Sequence, residues 1–165
     1  MKIKTLEDLL TDELKDLYSA ENMITKALPK MAKSTQSSEL RTAFQEHLKQ
    51  TENQIKRLER ACSELGVSPR GKKCVGMEGL IEEGKEIMTN GEDPHALEAG
   101  LIGAAQKVEH YEIAAYGTAA AHARQLGFNS IAQLLDQTLE EERMTDEKLT
   151  KIAENQVNVQ AAMEQ

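Results

Sequence analysis

Tryptophan is absent from this sequence, and only two phenylalanines and three tyrosines occur among its 165 residues. Because β-sheets are enriched in aromatic side chains, this scarcity disfavours a β-rich fold. The two cysteines, Cys62 and Cys74, are too few and too far apart for a zinc knuckle or a redox pair, so we expect free thiols. No apolar run reaches the length of about twenty residues that a membrane-spanning helix requires.

Clustered positive charge is also missing, since the formal net charge is −8 at pH 7. A protein that binds a nucleic-acid backbone needs lysines and arginines to neutralise phosphates, so the sequence predicts no such activity. The segment MKIKTLEDLL at the start of the chain has no uninterrupted apolar core of the kind found in secretory signals. We therefore expect a cytoplasmic protein that binds neither nucleic acid nor membrane.

The residues that are abundant are alanine, leucine, glutamate, lysine and glutamine, which is the composition of long helices. A chain of 165 residues with 39% hydrophobic content can bury one core. The composition therefore predicts an all-α protein with a single domain over residues 1–165.

Caps and breakers divide the chain into four long helices and a short one. Thr5 and Asp8 have capping-box spacing, Asp93 stands before a proline as an N-cap, and Ser130 and Gln133 have capping-box spacing at the last helix. The long helices are predicted at about residues 5–33, 38–65, 94–126 and 129–155, and the short helix at about 77–89.

The connections between these helices predict the topology. The first and last turns are short, which gives two antiparallel hairpins, whereas about residues 66–93 form a long crossover that carries the short helix. A simple up-and-down bundle would not need this crossover, which allows the second and third long helices to run parallel. The predicted fold is therefore a ferritin-like four-helix bundle.

Carboxylates occur where the third long helix should be buried. In the stretch KVEHYEIAAYGTAAAHARQLG, helical steps of three and four place Glu109, Glu112 and Tyr116 on the face of the small residues Ala105 and Ala119. Polar residues also interrupt the apolar stripes of the other three long helices near their middles. These residues are Glu21 in the first helix, His47 and Gln50 in the second, and Glu142 and Asp146 in the fourth.

Helices of similar length that pack side by side bring their middles to the same height, so these side chains should converge. Buried carboxylates are costly unless a cation or protons neutralise them. Carboxylate-rich ligation with some nitrogen favours iron or manganese. A single glutamate at core spacing is more often a chance event on a solvated face, but the coincidence in four helices favours a metal site.

Tyrosines near the predicted site have two interpretations. Tyr18 and Tyr116 lie one turn from Glu21 and Glu112, and their hydroxyls either donate to ligand carboxylates or find other partners. The neighbouring His110 and Tyr111 project to another side of the helix, and we expect them at the surface or at an interface.

Four blocks of the chain carry a family resemblance: DLYSAENMITKALPKMA, CVGMEGLIEE, AAQKVEHYEIAAYGTAAAHARQLG and LLDQTLEEERMTDEKLT. They resemble the bacterial YciF/YciE stress-protein family over nearly the whole chain. The resemblance implies a ferritin-like bundle, a homodimer and a rubrerythrin-like dinuclear metal site. The pair Glu109 and Glu112 matches the Glu-x-x-Glu of rubrerythrins. Gln50 is a departure, because relatives tend to have glutamate there, and it predicts one anionic ligand fewer.

Two functions follow from this interpretation. The first is an oxidoreductase with a dinuclear iron or manganese centre that acts on peroxide or dioxygen. Rubrerythrins receive electrons through a four-cysteine module, which this chain lacks, so such an enzyme would need an external electron donor. The second is a structural or interaction protein of the stress response, in which the polar layer is vestigial or binds metal only for stability.

Overall fold

Helices contain 86% of the residues in the computed structural model, which describes residues 2–163, and no strand occurs among these residues. The all-α prediction is confirmed. No described helix combines the length and the apolar character needed to span a membrane. The helices are α1 (Leu6–Ser34), α2 (Ser38–Glu64), α3 (Val75–Asn90), α4 (Pro94–Gln125), α5 (Asn129–Ile152) and, after a π-helical segment (Ala153–Val157), α6 (Asn158–Met163).

Two of the predicted helix starts are confirmed by hydrogen bonds. Asp8 N–H donates to Thr5 Oγ1 at 3.0 Å, and Thr5 N–H donates back to Asp8 Oδ2 at 3.0 Å, so the capping box is complete. The Asp93 carboxylate accepts from Ala96 N–H at 2.6 Å, and Pro94 is the first residue of α4. Both caps satisfy backbone donors that the helix itself leaves open.

The capping box predicted at Ser130 was wrong. Helix α5 begins at Asn129, one residue earlier, so Ser130 already lies inside the first turn. Its hydroxyl donates to Glu64 Oε1 at 3.1 Å instead. The start of α5 is set by the end of α4, where Gly127 adopts φ of +80° and Phe128 N–H bonds back to Ala123 O at 2.9 Å.

The four long helices pack as the ferritin-like prediction requires. Helix α1 packs on α2 and α4, and α5 packs on the same two helices. Leu28 near the end of α1 meets Leu101 near the start of α4, and Phe44 near the start of α2 joins the same cluster as Leu149 near the end of α5. Neighbouring helices are therefore antiparallel, and the diagonal pair α2 and α4 runs parallel. The crossover helix α3 lies against α1 and α4.

Polar residues divide the apolar core into two clusters. The cluster around Leu28 and Phe44 lies towards the α1–α2 turn, and a second cluster around Leu14, Leu58 and Leu135 lies towards the α4–α5 turn. Between them the helices bury a set of polar side chains that we call the polar layer: Glu21, His47, Thr51, Gln54, Glu109, Glu112, Thr138 and Glu142. The polar residues that interrupt the apolar stripes of the helices therefore lie at the same height in the bundle.

The turn between α1 and α2 is held by a glutamate that the sequence analysis did not single out. Glu98 of α4 is buried, and its Oε1 accepts from the Thr35 hydroxyl and from the backbone N–H groups of Gln36 and Ser37, each at 2.7 Å. These bonds satisfy donors at the start of α2 with a side chain from a distant helix. A buried carboxylate in this fold can therefore have a purely structural role.

Candidate metal centre

Three of the four long helices, α2, α4 and α5, contribute to a compact acidic group. One ligand atom from each of His47, Glu109, Glu112 and Glu142 lies within 4.8 Å of the others, and all four residues are buried. His47 Nε2 is 3.2 Å from Glu109 Oε1 and 4.0 Å from Glu142 Oε2. The group consists of a nitrogen donor and carboxylate oxygens, which suits a hard or borderline divalent cation.

Glu21 of α1 extends this acidic group. It is fully buried, and its Oε1 accepts a hydrogen bond from the Tyr116 hydroxyl of α4. Burial raises the pKa of Glu21, and the charge of Glu142 on α5 adds to this effect. The structure thus brings His47, Glu109, Glu112 and Glu142 together in one compact group, with Glu21 buried and held by Tyr116, and their role as metal ligands stays a prediction.

When the carboxylates are ionised, several ligand-type atoms of this group have no hydrogen-bond partner among the described residues. They are Glu21 Oε2, Glu109 Oε2, both oxygens of Glu112, Glu142 Oε2 and both ring nitrogens of His47. A buried acceptor without a partner costs about 1–3 kcal/mol, and more when it is charged. A cation bound among these atoms would satisfy the carboxylate oxygens and one of the two ring nitrogens of His47, so the residues present fit a metal ion.

The electrostatics of the layer follow from burial and crowding. Burial raises the pKa of Glu21 to about 8, and the charge of Glu142 adds to the rise. Burial also raises the pKa of Glu109 and of Glu112 well above the ordinary value, with further contributions from neighbouring carboxylates. Without a cation, protons neutralise part of this layer at neutral pH, and metal binding must displace them.

The two tyrosines take the two alternative roles. Tyr116 is fully buried and donates to Glu21, so it contacts the acidic group. The hydroxyl of Tyr18 donates instead to Glu59 Oε1 at 3.3 Å, near the surface. Tyr18 therefore follows the second alternative, another partner, because its ring extends towards α2 on the outer side of the bundle.

Two residues proposed as ligands lie outside the compact group. Asp146 is half-buried, 3.3 Å from the exposed His110 Nε2, and it accepts from Gln106 Nε2 at 3.1 Å. Gln50 is half-buried and accepts from the Thr145 hydroxyl at 3.3 Å. Both residues are one turn from a member of the group, but their side chains bond to outer residues of the bundle. The exposure predicted for His110 is confirmed.

For Tyr111, the expectation was a position at the surface or at an interface. It is half-buried, and its hydroxyl donates to Asp16 Oδ2 at 2.8 Å and lies 3.0 Å from Cys74 Sγ. The start of α3 covers the Tyr111 side chain. Cys74 is the N-cap of this helix, and Gly76 has no side chain that would collide with the Tyr111 ring. Cys62 and Cys74 are free and buried, which confirms the prediction of free thiols.

An additional network supports the layer from α2. Gln54 Nε2 donates to Glu142 Oε1 and, at 3.1 Å, to Glu141 Oε2. Arg57 forms a two-pronged ion pair with Glu141 at 2.6 and 2.7 Å. The sequence pattern did not single out Glu141, and the spacing of Gln54 and Arg57, one turn apart on α2, is the signal that indicates this contact.

Comparison with known proteins agrees with this description. The family model described as a domain of unknown function, DUF892, matches residues 5–162. The chain is 49% identical to protein YciF of Escherichia coli K12 over 162 residues, which cover 98% of each chain. The crystal structure of the E. coli stress protein YciF matches with a TM-score of 0.91 and 50% identity, covering 94% of this chain and 99% of that one.

A second solved structure is YcfI of Rhodopseudomonas palustris, which is provisionally described as a structural protein. It matches with a TM-score of 0.90 and 42% identity, covering 92% of this chain and 97% of that one. Fold and site together define a ferritin-like bundle with a buried histidine and carboxylate cluster. The chain belongs to the DUF892 family, which confirms its resemblance to the YciF/YciE stress proteins.

Proposed function

We propose that this protein is a stress-associated metalloprotein whose polar layer holds a dinuclear iron or manganese centre. The observation that carries the proposal is the set of unpartnered carboxylate oxygens and histidine nitrogens in one buried layer. Folding alone gives no reason to bury such atoms without partners, since apolar residues of similar volume would be as stable or more so.

The residues that would hold the metal are Glu21, His47, Glu109, Glu112 and Glu142. Four ionised carboxylates carry a charge of −4, which two divalent cations balance, whereas one cation would leave two buried negative charges. Asp146 is not included, because Gln106 and His110 already contact its oxygens. Gln50 lies beside the group without adding charge, and we infer that it weakens one of the two positions.

Iron or manganese bound here would supply one-electron redox chemistry towards peroxide or dioxygen. The protein's part is to hold and orient the ligands. Tyr116 orients Glu21 through its hydroxyl, Gln54 orients Glu142, and the two apolar clusters close the layer above and below. The carboxyl groups with raised pKa would release protons if a metal were bound. We further propose a cytoplasmic homodimer that receives electrons from an external donor.

A second candidate function is a structural or interaction role without turnover. The provisional description of YcfI as a structural protein favours it. The raised pKa values also favour it, because protonated glutamates could neutralise the layer without any metal. In that case the polar layer would be vestigial or would bind metal only for stability.

Metal content and peroxide turnover distinguish the two functions. Protein purified without a metal-binding tag should contain iron or manganese by elemental analysis, approaching two ions per chain after reconstitution. The reconstituted protein should consume hydrogen peroxide faster than the free metal does. Glu112→Ala should abolish the difference, and Glu147→Ala, at an exposed position of α5, should retain it. Equal rates for protein and free metal would favour the structural role.

A further inference from the structure

We propose that a pocket enclosed by α1, α3 and α4 binds a medium-chain carboxylate, with its carbon chain directed towards the polar layer. The pocket has a volume of about 320 Å³. This volume lies at the lower end of the range for small-molecule sites, which are typically concave and mostly apolar. Nothing in the metal-centre proposal requires such a pocket.

The walls of the pocket are chemically suited to a flexible hydrocarbon chain. Aliphatic and thioether side chains from all three helices form them, including Met23, Met31, Leu80, Ile81, Met88 and Val108. Methionine side chains are unbranched and polarizable, so they adapt to the shape of a flexible ligand. Burial of each methylene group of a ligand here would strengthen its binding.

The inner end of the pocket reaches the acidic group. His47 and Glu109 are buried and line the pocket, and both ring nitrogens of His47 and Glu109 Oε2 have no hydrogen-bond partner in residues 2–163. A second cavity of about 240 Å³, lined by residues of α2 and α5, reaches the same two side chains. A ligand in the apolar pocket would therefore end against the polar layer.

The rim of the pocket carries unbalanced positive charge. Lys26 and Lys30 are exposed and one turn apart on α1, and no described carboxylate lies within 4.0 Å of either ammonium group. The two rim glutamates are already paired, Glu78 with Lys73 at 2.6 Å and Glu82 with Lys85 at 2.8 Å. In a chain of net charge −8, this local excess of lysine favours an anionic head group.

The orientation of the ligand follows from these charges. A carboxylate at the inner end would lose its hydration among buried acidic side chains such as Glu109, and burial of an unpaired charge is costly. At the rim it would meet Lys26 and Lys30 in solvent. The hydrocarbon chain of the ligand then lies between the apolar walls, and the carboxylate head group remains at the surface. Binding therefore does not depend on a bound metal.

Titration calorimetry of the metal-free, full-length protein tests the proposal with octanoate and octan-1-ol as probes. Octanoate should bind saturably with one molecule per chain, and octan-1-ol should bind more weakly. Val108→Phe should fill the pocket and weaken octanoate binding at least tenfold. Ala27→Phe, on the opposite wall in α1, is a second filling variant if the first does not fold. Circular dichroism should show the same helix content in each variant.

Charge variants test the rim separately. Lys26→Gln and Lys30→Gln should each weaken octanoate binding about threefold, as expected for an exposed ion pair, and should leave octan-1-ol unchanged. Lys151→Gln, an exposed lysine of α5, makes the same charge change away from the pocket and should have no effect.

Absence of an octanoate isotherm, or equal affinity in the filling variants, would overturn the proposal. If octanoate does not bind and Val108→Phe converts a dimer to a monomer by sedimentation velocity, the face is an interface between copies. Because every titration uses metal-free protein, these outcomes are independent of whether the metal centre exists.

Discussion

The Tyr116 hydroxyl donates a hydrogen bond to Glu21 Oε1 and so ties α4 to α1 at the polar layer. Both side chains are fully buried, and Glu21 Oε2 has no partner in the described part of the chain. One oxygen of this carboxylate is therefore fixed by the protein, while the other is available to a cation or a proton.

Tyr116→Phe removes this donor and retains the ring. We expect the variant to lose about 1–3 kcal/mol of stability, because a buried acceptor loses its partner. Its metal affinity should fall about 10- to 100-fold, as for other groups that orient a ligand. Urea unfolding and metal titration measure the two effects. Tyr18→Phe is the matched control, and its exposed bond to Glu59 should make it nearly neutral. Equal losses in the two variants would contradict a special role for Tyr116.

The stability of the metal-free protein should fall as pH rises from about 5 to about 8. In the folded chain the pKa of Glu21 is about 8, against an ordinary value of 4.5, so the folded state holds a proton that the unfolded chain releases in this interval. Each such proton lowers stability by about 1.4 kcal/mol per pH unit, and Glu109 and Glu112 act in the same direction.

Urea melts in chelator across this pH range measure the slope. The stabilising contribution of these protonated groups is fully present below pH 4.5. It is lost as pH rises through the pKa values that the groups have in the folded state. Saturating metal should flatten the dependence, since the bound cation replaces the protons. A metal-free protein of constant stability over this range would show that the carboxyl groups titrate normally.

Glu112→Gln should separate function from folding. Without metal, we expect this variant to be at least as stable as the wild type at neutral pH, because an uncharged side chain replaces a carboxyl group that lacks partners. With metal at a hundred times its dissociation constant, the wild type should gain about 2.7 kcal/mol and the variant less. Thermal melts with chelator and with metal measure both differences.

Glu98→Gln is the matched control at a buried glutamate that accepts three hydrogen bonds. It should destabilise the protein with and without metal, since it replaces a charged acceptor by a weaker one. If Glu112→Gln behaved like Glu98→Gln, Glu112 would be a structural residue and the metal-centre proposal would be wrong.

Gln50→Glu should strengthen the weaker metal position. Gln50 lines the smaller cavity together with His47 and Glu109, so a carboxylate there would add negative charge beside the group. We expect about a tenfold tighter second binding step, which corresponds to about 1.4 kcal/mol. Calorimetric metal titration measures it. Gln45→Glu adds the same charge at an exposed position of α2 and should leave both steps unchanged. If neither variant changes the affinity of either metal-binding step, Gln50 is unrelated to metal affinity.

The parts of the fold that depend on periodicity could be predicted from the sequence. Steps of three and four fix which face of a long helix is buried, and similar helix lengths fix the height at which interruptions meet. Glu21, His47, Glu109, Glu112 and Glu142 converge for these two reasons. The long crossover predicted that α2 and α4 run parallel. The reason is that the connecting chain must travel the length of the bundle from the end of α2 to the start of α4.

The remaining details depend on side-chain direction, which spacing does not determine. Asp146 and Tyr18 have the correct spacing, but each finds a nearer partner on an outer helix surface, His110 and Glu59 respectively. The start of α5 depends on how the chain leaves Gly127 rather than on Ser130. The predicted end of the last helix at about 155 falls within the π-helical segment, so backbone geometry changes there without a proline or glycine to mark it.

The bonds from Glu98 to the α1–α2 turn have a consequence for the order of folding. The donors at residues 35–37 and their acceptor are 61 to 63 positions apart in the chain. The first hairpin therefore cannot complete its own turn, because α4 must dock before these backbone groups are satisfied. We expect the turn to become protected from hydrogen exchange only together with the start of α4, so that the two hairpins form one cooperative unit despite the local character of each.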